Sequence, residues 1–262
     1  MSARTVIESI GTTTTRAVED LGALFSLAVS AFSGAFRPPF RFTLLFGQLD
    51  FIGFGSLFIV GLTGLFTGMV LALQGVYAFG LFNAQSMVGA TVELSLAREI
   101  APVFTALFVT ARVGSAIATE LGTMRVTEQI DALETMAVNP VYYLVTPRVV
   151  AGTLMAPFLT MFFNTVALLG CWLIVVPYSG LPPGPFWSHL QRLVTVSDLW
   201  HGLWKSLVFG VAISAIACHC GFTASGGARG VGRATTSAVV GGSVTVLALD
   251  LMLTALTVGS RA

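Results

Sequence analysis

Charged residues are scarce in this chain of 262 residues, where Asp, Glu, Lys and Arg make up 10% of the sequence and hydrophobic residues 55%. Soluble domains carry about 25% charged residues, so the composition excludes an ordinary soluble domain and indicates a protein embedded in a lipid bilayer. The formal net charge is only +1, far from the strongly basic surface of a nucleic-acid-binding protein. We therefore expect no nucleic-acid partner.

Residues that support catalysis or metal binding are also few. The single lysine, Lys205, follows Trp204 in an apolar stretch, so the chain has no GxxxxGK[ST] loop with which to hydrolyse ATP. It contains neither HExxH nor GxSxG. Cys218, His219 and Cys220 have metal-ligand side chains, but adjacent helical positions point about 100° apart and no second ligand cluster accompanies them. We expect no catalytic residue, metal or cofactor on this chain.

Long apolar runs predict five transmembrane helices, since each crossing of a bilayer needs about 20 apolar residues. The predicted spans cover residues 51–73, 96–118, 149–176, 203–222 and 238–258. An amphipathic helix in the membrane interface is predicted before them, within residues 1–45. Its apolar face comprises Val18, Leu21, Phe25, Ala28 and Phe32. The expected fold is an all-α membrane protein that forms one domain over residues 1–262.

Arginine is unevenly distributed between the two sides of the predicted membrane domain. Short cytoplasmic loops retain Lys and Arg, which predicts orientation. With a cytoplasmic N-terminus, the cytoplasmic side receives Arg4, Arg16, Arg37, Arg41, Arg125, Arg148, Arg229 and Arg233. The outer side receives Arg192 and Arg261. We therefore expect a multi-pass protein of the inner (cytoplasmic) membrane whose N-terminus is cytoplasmic.

A polar segment, residues 120–148, separates the second and third predicted spans. Thr127 is a suitable N-cap and Asn139-Pro140 a suitable stop, so we expect a helix of about twelve residues, too short to cross a bilayer. Its apolar face holds Val126, Ile130, Leu133 and Ala137, and its acidic face holds Glu128, Asp131 and Glu134. This pattern fits a helix that docks in a partner's groove, and it equally fits a solvated helix lying on its own protein. Periodicity alone favours the second interpretation.

Four ionisable residues fall in the outer half of the predicted spans: Arg98, Glu99, Lys205 and Asp250. Charges inside a bilayer are costly and mark a pathway or a partner. Three helices that deliver mixed charge to one depth predict a solvated cavity for a zwitterionic or anionic head group, although internal ion pairing that holds the bundle together accounts for them equally well. Arg112 lies deeper, and we interpret it as a contact between helices.

Five segments carry a resemblance to a known family. They read SLAREIAPV at 95–103, ARVGSA at 111–116, ELGTMRVTEQIDAL at 120–133, GRATT at 232–236 and LD at 249–250. Together they resemble the MlaE/YrbE permeases of Mce-type lipid transporters, and the similarity extends over nearly the whole chain. Asn139 is a small departure, because the family often has an acidic residue before this proline.

The resemblance implies a permease that moves phospholipid, or a similar hydrophobic molecule, between the inner membrane and an external ring of Mce proteins. It implies a second permease copy and a separate ABC ATPase that spends ATP and receives the short polar helix. It implies ATPase coupling by Glu120, Arg125, Glu128, Asp131, Leu133, Glu134 and Met136. It implies that substrate lipid is bound by Arg98, Glu99, Lys205 and Asp250, with acyl-chain contacts at Leu71, Phe79, Phe82 and Ile100.

A proton-coupled secondary transporter or an intramembrane enzyme is the alternative, in which Glu99 and Asp250 carry protons. This hypothesis accounts for buried carboxylates without a partner protein. It does not account for the polar helix between the second and third spans, and five spans without an evident inverted repeat fit secondary transporters poorly.

Overall fold

The computed structural model describes Thr15, Glu19 and residues 22–35 and 42–259, and within these residues the regular structure is entirely helical. The helices are α1 Gly22–Ala35, α2 Phe42–Gly80, α3 Gln85–Val126, α4 Gln129–Thr135, α5 Val141–Tyr178, α6 Pro183–Leu193, α7 Val196–Phe222 and α8 Gly227–Gly259. Short π-helical turns interrupt α2 and α3 without ending them, and α5 begins and ends with such a turn.

Five helices of the described chain are long and apolar enough to cross a membrane, namely α2, α3, α5, α7 and α8. The expected all-α fold with five spans is therefore confirmed. Each helix starts earlier than the apolar run that predicted it. The 42 residues of α3 measure about 63 Å, roughly twice the hydrocarbon thickness of a bilayer. Apolar runs locate the membrane core, whereas polar helical ends continue beyond it.

Helix α1 confirms a short helix before the first span. Ala31 is fully buried, and Leu27 and Phe32 pack partly buried against the core, whereas Phe25 is exposed. Of the other three residues of the expected apolar face, Ala28 is half-buried, and Val18 and Leu21 lie outside the described residues. Placement of this helix in the membrane interface remains a prediction.

Consecutive spans run in opposite directions, so the bundle has two ends. We call them the α4 end, where Gly122 of α3 lies against Ala224 and Val231, and the α6 end, where Gly89 of α3 lies against Phe186 of α6. The polar segment therefore lies at the end of the bundle opposite to helix α6.

Helix α4 is shorter than expected, with seven residues instead of about twelve. Thr127 is not its cap, because Thr127 Oγ1 donates to the Thr123 carbonyl (2.8 Å) and so continues the last turn of α3. The helix ends at Thr135, and Ala137 just beyond it has a left-handed φ of 59° that allows its own N–H and that of Val138 to bond back to the last turn. Asn139 does not stop α4: its Oδ1 accepts from Val141 N (3.0 Å) and begins α5.

Close backbone contacts hold α2, α5 and α7 together. A Cβ atom at Gly64 or Gly68 of α2 would meet the carbonyl oxygen of Phe163 or Ala167 in α5, and Gly152 of α5 faces Gly210 of α7 in the same way. Small residues at helix crossings let backbones approach where the hydrophobic effect does not drive association between helices. The GxxxG pair of α2 therefore serves packing within the chain.

Helix α8 is the least enclosed span. Only 11% of its apolar window is buried, against 50% for α7. Its exposed apolar side chains are Val240, Val244, Leu247, Leu251, Met252 and Leu256. One long face of α8 is thus left for lipid or for another protein chain.

We predict that Gly68→Ala destabilises the protein by about 1–3 kcal/mol, because the added methyl group overlaps the backbone of α5 and the two helices must separate. Thermal unfolding in detergent measures this change. Gly47→Ala, in the same helix but with no atom within 4 Å of the new Cβ, is the matched control. Equal stability of the two variants would contradict the packing described above.

Candidate functional site

Lys205 of α7 lies at the centre of a cluster of charged residues contributed by three helices. Its Nζ donates to Glu99 Oε2 of α3 (2.5 Å), and to Asp250 Oδ1 (2.9 Å) and Thr254 Oγ1 (2.7 Å) of α8. The side chain of Lys205 is fully buried. The structure thus brings together three of the four ionisable residues singled out from the sequence, in the half of the bundle nearest α6. The sequence indicated these ionisable residues and their approximate depth in the membrane. It did not indicate that Thr254 is a partner of Lys205.

Local features of each helix bring these side chains to one point. Glu99 lies in a π-helical turn, Leu96–Ile100, which changes the direction of side chains along α3. Gly202 of α7 lies so close to Ala97 of α3 that a Cβ would overlap the Ala97 carbonyl. Asp250 and Thr254 are one turn apart on α8, and Thr254 Oγ1 donates to the Asp250 carbonyl (2.8 Å).

The electrostatic balance of the cluster is acidic. One ammonium group faces two carboxylates, and the three acceptors use all three N–H donors that a lysine has. The three side chains also differ in exposure. Lys205 is inaccessible, whereas Asp250 is 22% and Glu99 is 39% exposed. The exposed part of the cluster therefore belongs to its two acidic side chains and not to Lys205.

Arg98, the fourth ionisable residue singled out, has a separate partner. Its Nε donates to Asp198 Oδ1 of α7 (2.7 Å), and Nη2 reaches the same oxygen. Asp198 is buried, and its Oδ2 accepts from Thr195 N (2.9 Å) and Thr195 Oγ1 (2.8 Å), which forms a capping box at the start of α7. Arg98 and Glu99 thus attach α3 to α7 at two points. Asp198 was missed, although the spacing Thr-x-x-Asp is the signal that identifies it.

Glu93 of α3 is a second residue that the sequence analysis missed. Asn164 Nδ2 of α5 donates to Glu93 Oε1 (2.6 Å), and both side chains are buried. Glu93 Oε2 and Asn164 Oδ1 have no hydrogen-bond partner within the described residues. The predicted second span began at residue 96 and left Glu93 outside it, whereas Glu93 lies inside helix α3.

The apolar residues expected to touch acyl chains are distributed along α2 and α3. Leu71, Phe79 and Ile100 are half-buried and pack against the core. Phe82 lies in the turn between the two helices and is exposed. The structure does not test their contact with lipid.

Arg112 of α3 contacts α2, as expected for a residue that links two helices. Its Nη1 donates to the Phe51 carbonyl (3.1 Å) and to Ser56 Oγ (2.8 Å), and the guanidinium lies 5.3 Å from the centroid of the Phe51 ring. Gly55 leaves the space that this guanidinium occupies.

The residues expected to couple to an ATPase surround α4. Ile130 is buried and Leu133 half-buried, while Glu128, Asp131 and Glu134 are exposed as predicted. The predicted apolar face is reduced to the first two, because Val126 belongs to α3 and Ala137 is exposed beyond the helix. Met136, beyond the helix, is 64% exposed. Three members form ion pairs within the chain: Arg125 Nη1 with Asp131 Oδ1, and Glu120 with Arg148 of α5. A short amphipathic helix therefore presents exposed acidic residues at the α4 end.

Comparison with known proteins gives a consistent result. The family model described as "Permease MlaE" matches residues 45–256. A "Probable ABC transporter permease protein" of Rickettsia bellii is 40% identical over 96% of this chain and 97% of its own length. The "Intermembrane phospholipid transport system permease protein MlaE" of Haemophilus influenzae is 41% identical over 86% of this chain and 87% of its own. Arabidopsis thaliana "Protein TRIGALACTOSYLDIACYLGLYCEROL 1, chloroplastic" is 39% identical over 79% of this chain and 59% of its own.

We predict that Lys205→Met destabilises the protein by about 3 kcal/mol, because the change leaves two adjacent carboxylates without their cation. The triple variant Lys205→Met, Glu99→Gln, Asp250→Asn removes all three charges and should recover most of this loss. Thermal unfolding in detergent compares the two proteins. A single variant as stable as the triple variant would show that the cluster is not an ion pair network.

Proposed function

This chain belongs to the MlaE permease family and is a multi-pass membrane protein, and on that premise we propose that it is the membrane subunit of an ABC transporter that moves phospholipid. In this proposal the protein lies in the inner membrane with its N-terminus and its α4 end in the cytoplasm. The eight arginines assigned to that side support this orientation. Its α6 end then faces an external ring of Mce proteins, which exchanges lipid with the permease.

The transport of a two-tailed lipid sets two physical requirements. Exposing acyl chains to water costs about 0.8 kcal/mol per methylene group, so the lipid needs an apolar cavity closed from solvent, and the complex needs an input of energy. The sequence contains no loop that binds ATP in the manner of a P-loop. In the proposed assembly, a partner ATPase supplies the energy and acts on the permease through α4.

The observation that carries the proposal is the position of the Lys205 cluster beside an uncovered apolar face. Asp250 lies on α8 between Leu247 and Leu251, both more than half exposed. Carboxylate oxygens at the edge of an apolar surface match an amphiphile, which has a polar head and apolar tails. We propose that a second permease copy faces this surface and that the two copies enclose the lipid cavity between α2, α3 and α8.

The hydrogen bonds of the cluster favour a zwitterionic head group over an anionic one. Lys205 has no free N–H to offer a phosphate, and Arg98 is already paired with Asp198. The exposed part of the cluster is the carboxylates of Glu99 and Asp250. These oxygens attract the ammonium of a zwitterionic head group and repel a net negative charge.

We predict that Asp250→Asn lowers the ratio of zwitterionic to anionic phospholipid that co-purifies with the complex. The change is at most about fivefold, because a partly exposed ionic contact contributes up to about 1 kcal/mol. Mass spectrometry of the bound lipid, normalised to the lipid of the source membrane, measures the ratio. Asp50→Asn, at an exposed acid of α2, is the control. An unchanged ratio would contradict selection by the carboxylates.

The proposed docking of the ATPase is tested by charge reversal on α4. Glu128→Lys with Glu134→Lys should weaken co-purification of the ATPase by at least about tenfold, because like charges placed across an interface cost several kcal/mol. These two exposed acids are preferable to Asp131, which pairs with Arg125. Affinity purification of tagged permease measures the ratio of ATPase to permease.

The matched control for this experiment carries Ser188→Lys and Gln191→Lys on α6, at the opposite end of the bundle, where both side chains are exposed. It should retain the ATPase. Full retention of the ATPase by the α4 variant as well would contradict docking of the ATPase on α4.

Family membership favours the permease over a proton-coupled transporter that uses Glu99 and Asp250. Purification in detergent distinguishes the two. Recovery of a stoichiometric ATPase with bound phospholipid supports the permease, whereas a solitary protein with proton-coupled flux supports the alternative.

A further inference from the structure

An ion pair between a buried arginine and an exposed glutamate closes the base of the polar segment at the α4 end. Arg148 of α5 is 4% exposed, and its Nη2 lies 2.8 Å from Glu120 Oε2 of α3. Arg148 Nη1 also donates to the Leu144 carbonyl of its own helix (2.7 Å). Within the described residues, Glu120 is the carboxylate that balances this buried cation.

The position of this pair in the chain is informative. Glu120 precedes the end of α3 at Val126, and Arg148 follows the start of α5 at Val141. Everything between the two residues forms a hairpin that carries α4 at its tip. The pair therefore joins the two spans directly, at the base of the hairpin.

The tip of the hairpin, around α4, has few buried side chains. Helix α4 has seven residues, well below the length at which an isolated helix is stable in water. Ile130 is its single fully buried side chain. The other ion pair of the hairpin, Arg125 with Asp131, is 40% and 51% exposed, and such pairs contribute little. A force applied to α4 can therefore be absorbed by the hairpin unless α3 and α5 are held together at its base.

We propose that Glu120 and Arg148 are positioning residues that make α3 and α5 respond together when the ATPase displaces α4. The inference rests on the proposed function. Buried Arg148 keeps Glu120 beside α5 during the displacement, because separation would leave its cation without a partner. Helix α3 also carries Glu99, so movement of this helix reaches the Lys205 cluster.

The test uses the complete transporter, with its ATPase and its other subunits, reconstituted in phospholipid vesicles. Two rates are measured on the same sample, ATP hydrolysis and phospholipid transfer, and the result is their ratio. Glu120→Gln is compared with the unaltered complex by this ratio, whatever its own rate of ATP hydrolysis. It should transfer about tenfold less lipid per ATP, which is a typical size for the coupling between two sites.

Thr119→Val is the matched control. Thr119 Oγ1 lies 2.8 Å from Thr235 Oγ1 of α8, so this variant removes a contact next to Glu120 but leaves the α3–α5 pair intact. Its ratio of transfer to hydrolysis should equal that of the unaltered complex. The charge-swapped variant Glu120→Arg with Arg148→Glu should recover part of the ratio that Glu120→Gln loses. If Glu120→Gln does not assemble, Glu120→Asp keeps the charge on a shorter side chain, and its ratio should also fall.

The outcomes distinguish a coupling role from a purely structural one. An unchanged ratio in Glu120→Gln, or in Glu120→Asp where that variant is used, overturns the proposal, and so does a parallel fall in hydrolysis and transfer, which assigns the pair to stability alone. A fall of the ratio in Thr119→Val as well also overturns it, because any contact at this depth would then have the same effect. If the unaltered complex contains no ATPase or transfers no lipid, the proposed function itself fails.

Discussion

Every buried charge in this bundle requires a partner on another helix, because the interior offers no water to solvate it. Lys205 meets this requirement through Glu99, Asp250 and Thr254, and it is completely enclosed as a result. These contacts determine the register of α3, α7 and α8, since a shift of one residue along any of them would rotate a charged side chain out of reach. The Arg98–Asp198 and Glu120–Arg148 pairs apply the same constraint elsewhere. Ion pairing therefore connects architecture and function, since the cluster that holds three spans together also leaves carboxylate oxygens at an apolar face.

The sequence was sufficient for the spans and for the charges within them. A run of about 20 apolar residues is rare outside membrane spans, and an ionisable residue inside such a run is conspicuous. The partners of those charges were harder to find. Glu93 and Asp198 precede the apolar runs of α3 and α7, so hydropathy leaves both outside the predicted spans, although both lie within helices. Hydropathy reports the part of a helix that lies in the membrane core, while the ends of the helix depend on caps and on tertiary contacts.

Helix α4 illustrates the same limit on a smaller scale. Residue spacing predicts its central positions, with Ile130 buried and Asp131 exposed, but not Ala137, which is exposed although it was assigned to the apolar face. Its ends do not follow from the sequence, because Thr127, a favourable N-cap residue, bonds back to α3 instead. Ala137, just beyond the last turn, adopts a left-handed backbone conformation in which glycine is usual. At both ends of α4, the connection of two long spans through a short hairpin outweighs the local capping preference of the residue.

Helix α3 is the element in which the two ends of the molecule meet. It contains Glu120 near the α4 end and Glu99 in the half nearest α6, and π-helical turns at Leu96–Ile100 and Thr110–Gly114 interrupt it. Bends in helices concentrate at such turns. The first turn holds Arg98 and Glu99, both bound to α7, and the second holds Arg112, bound to α2. In the proposed mechanism, a displacement of α3 that begins at Glu120 reaches the turn at Thr110–Gly114 first, where contact with α2 opposes it. It then reaches the turn at Leu96–Ile100, where it acts on Lys205. Helix α3 can bend at the two turns whose charged side chains bind other spans. In the proposed mechanism, bending of this helix therefore also rearranges the wall of the lipid cavity.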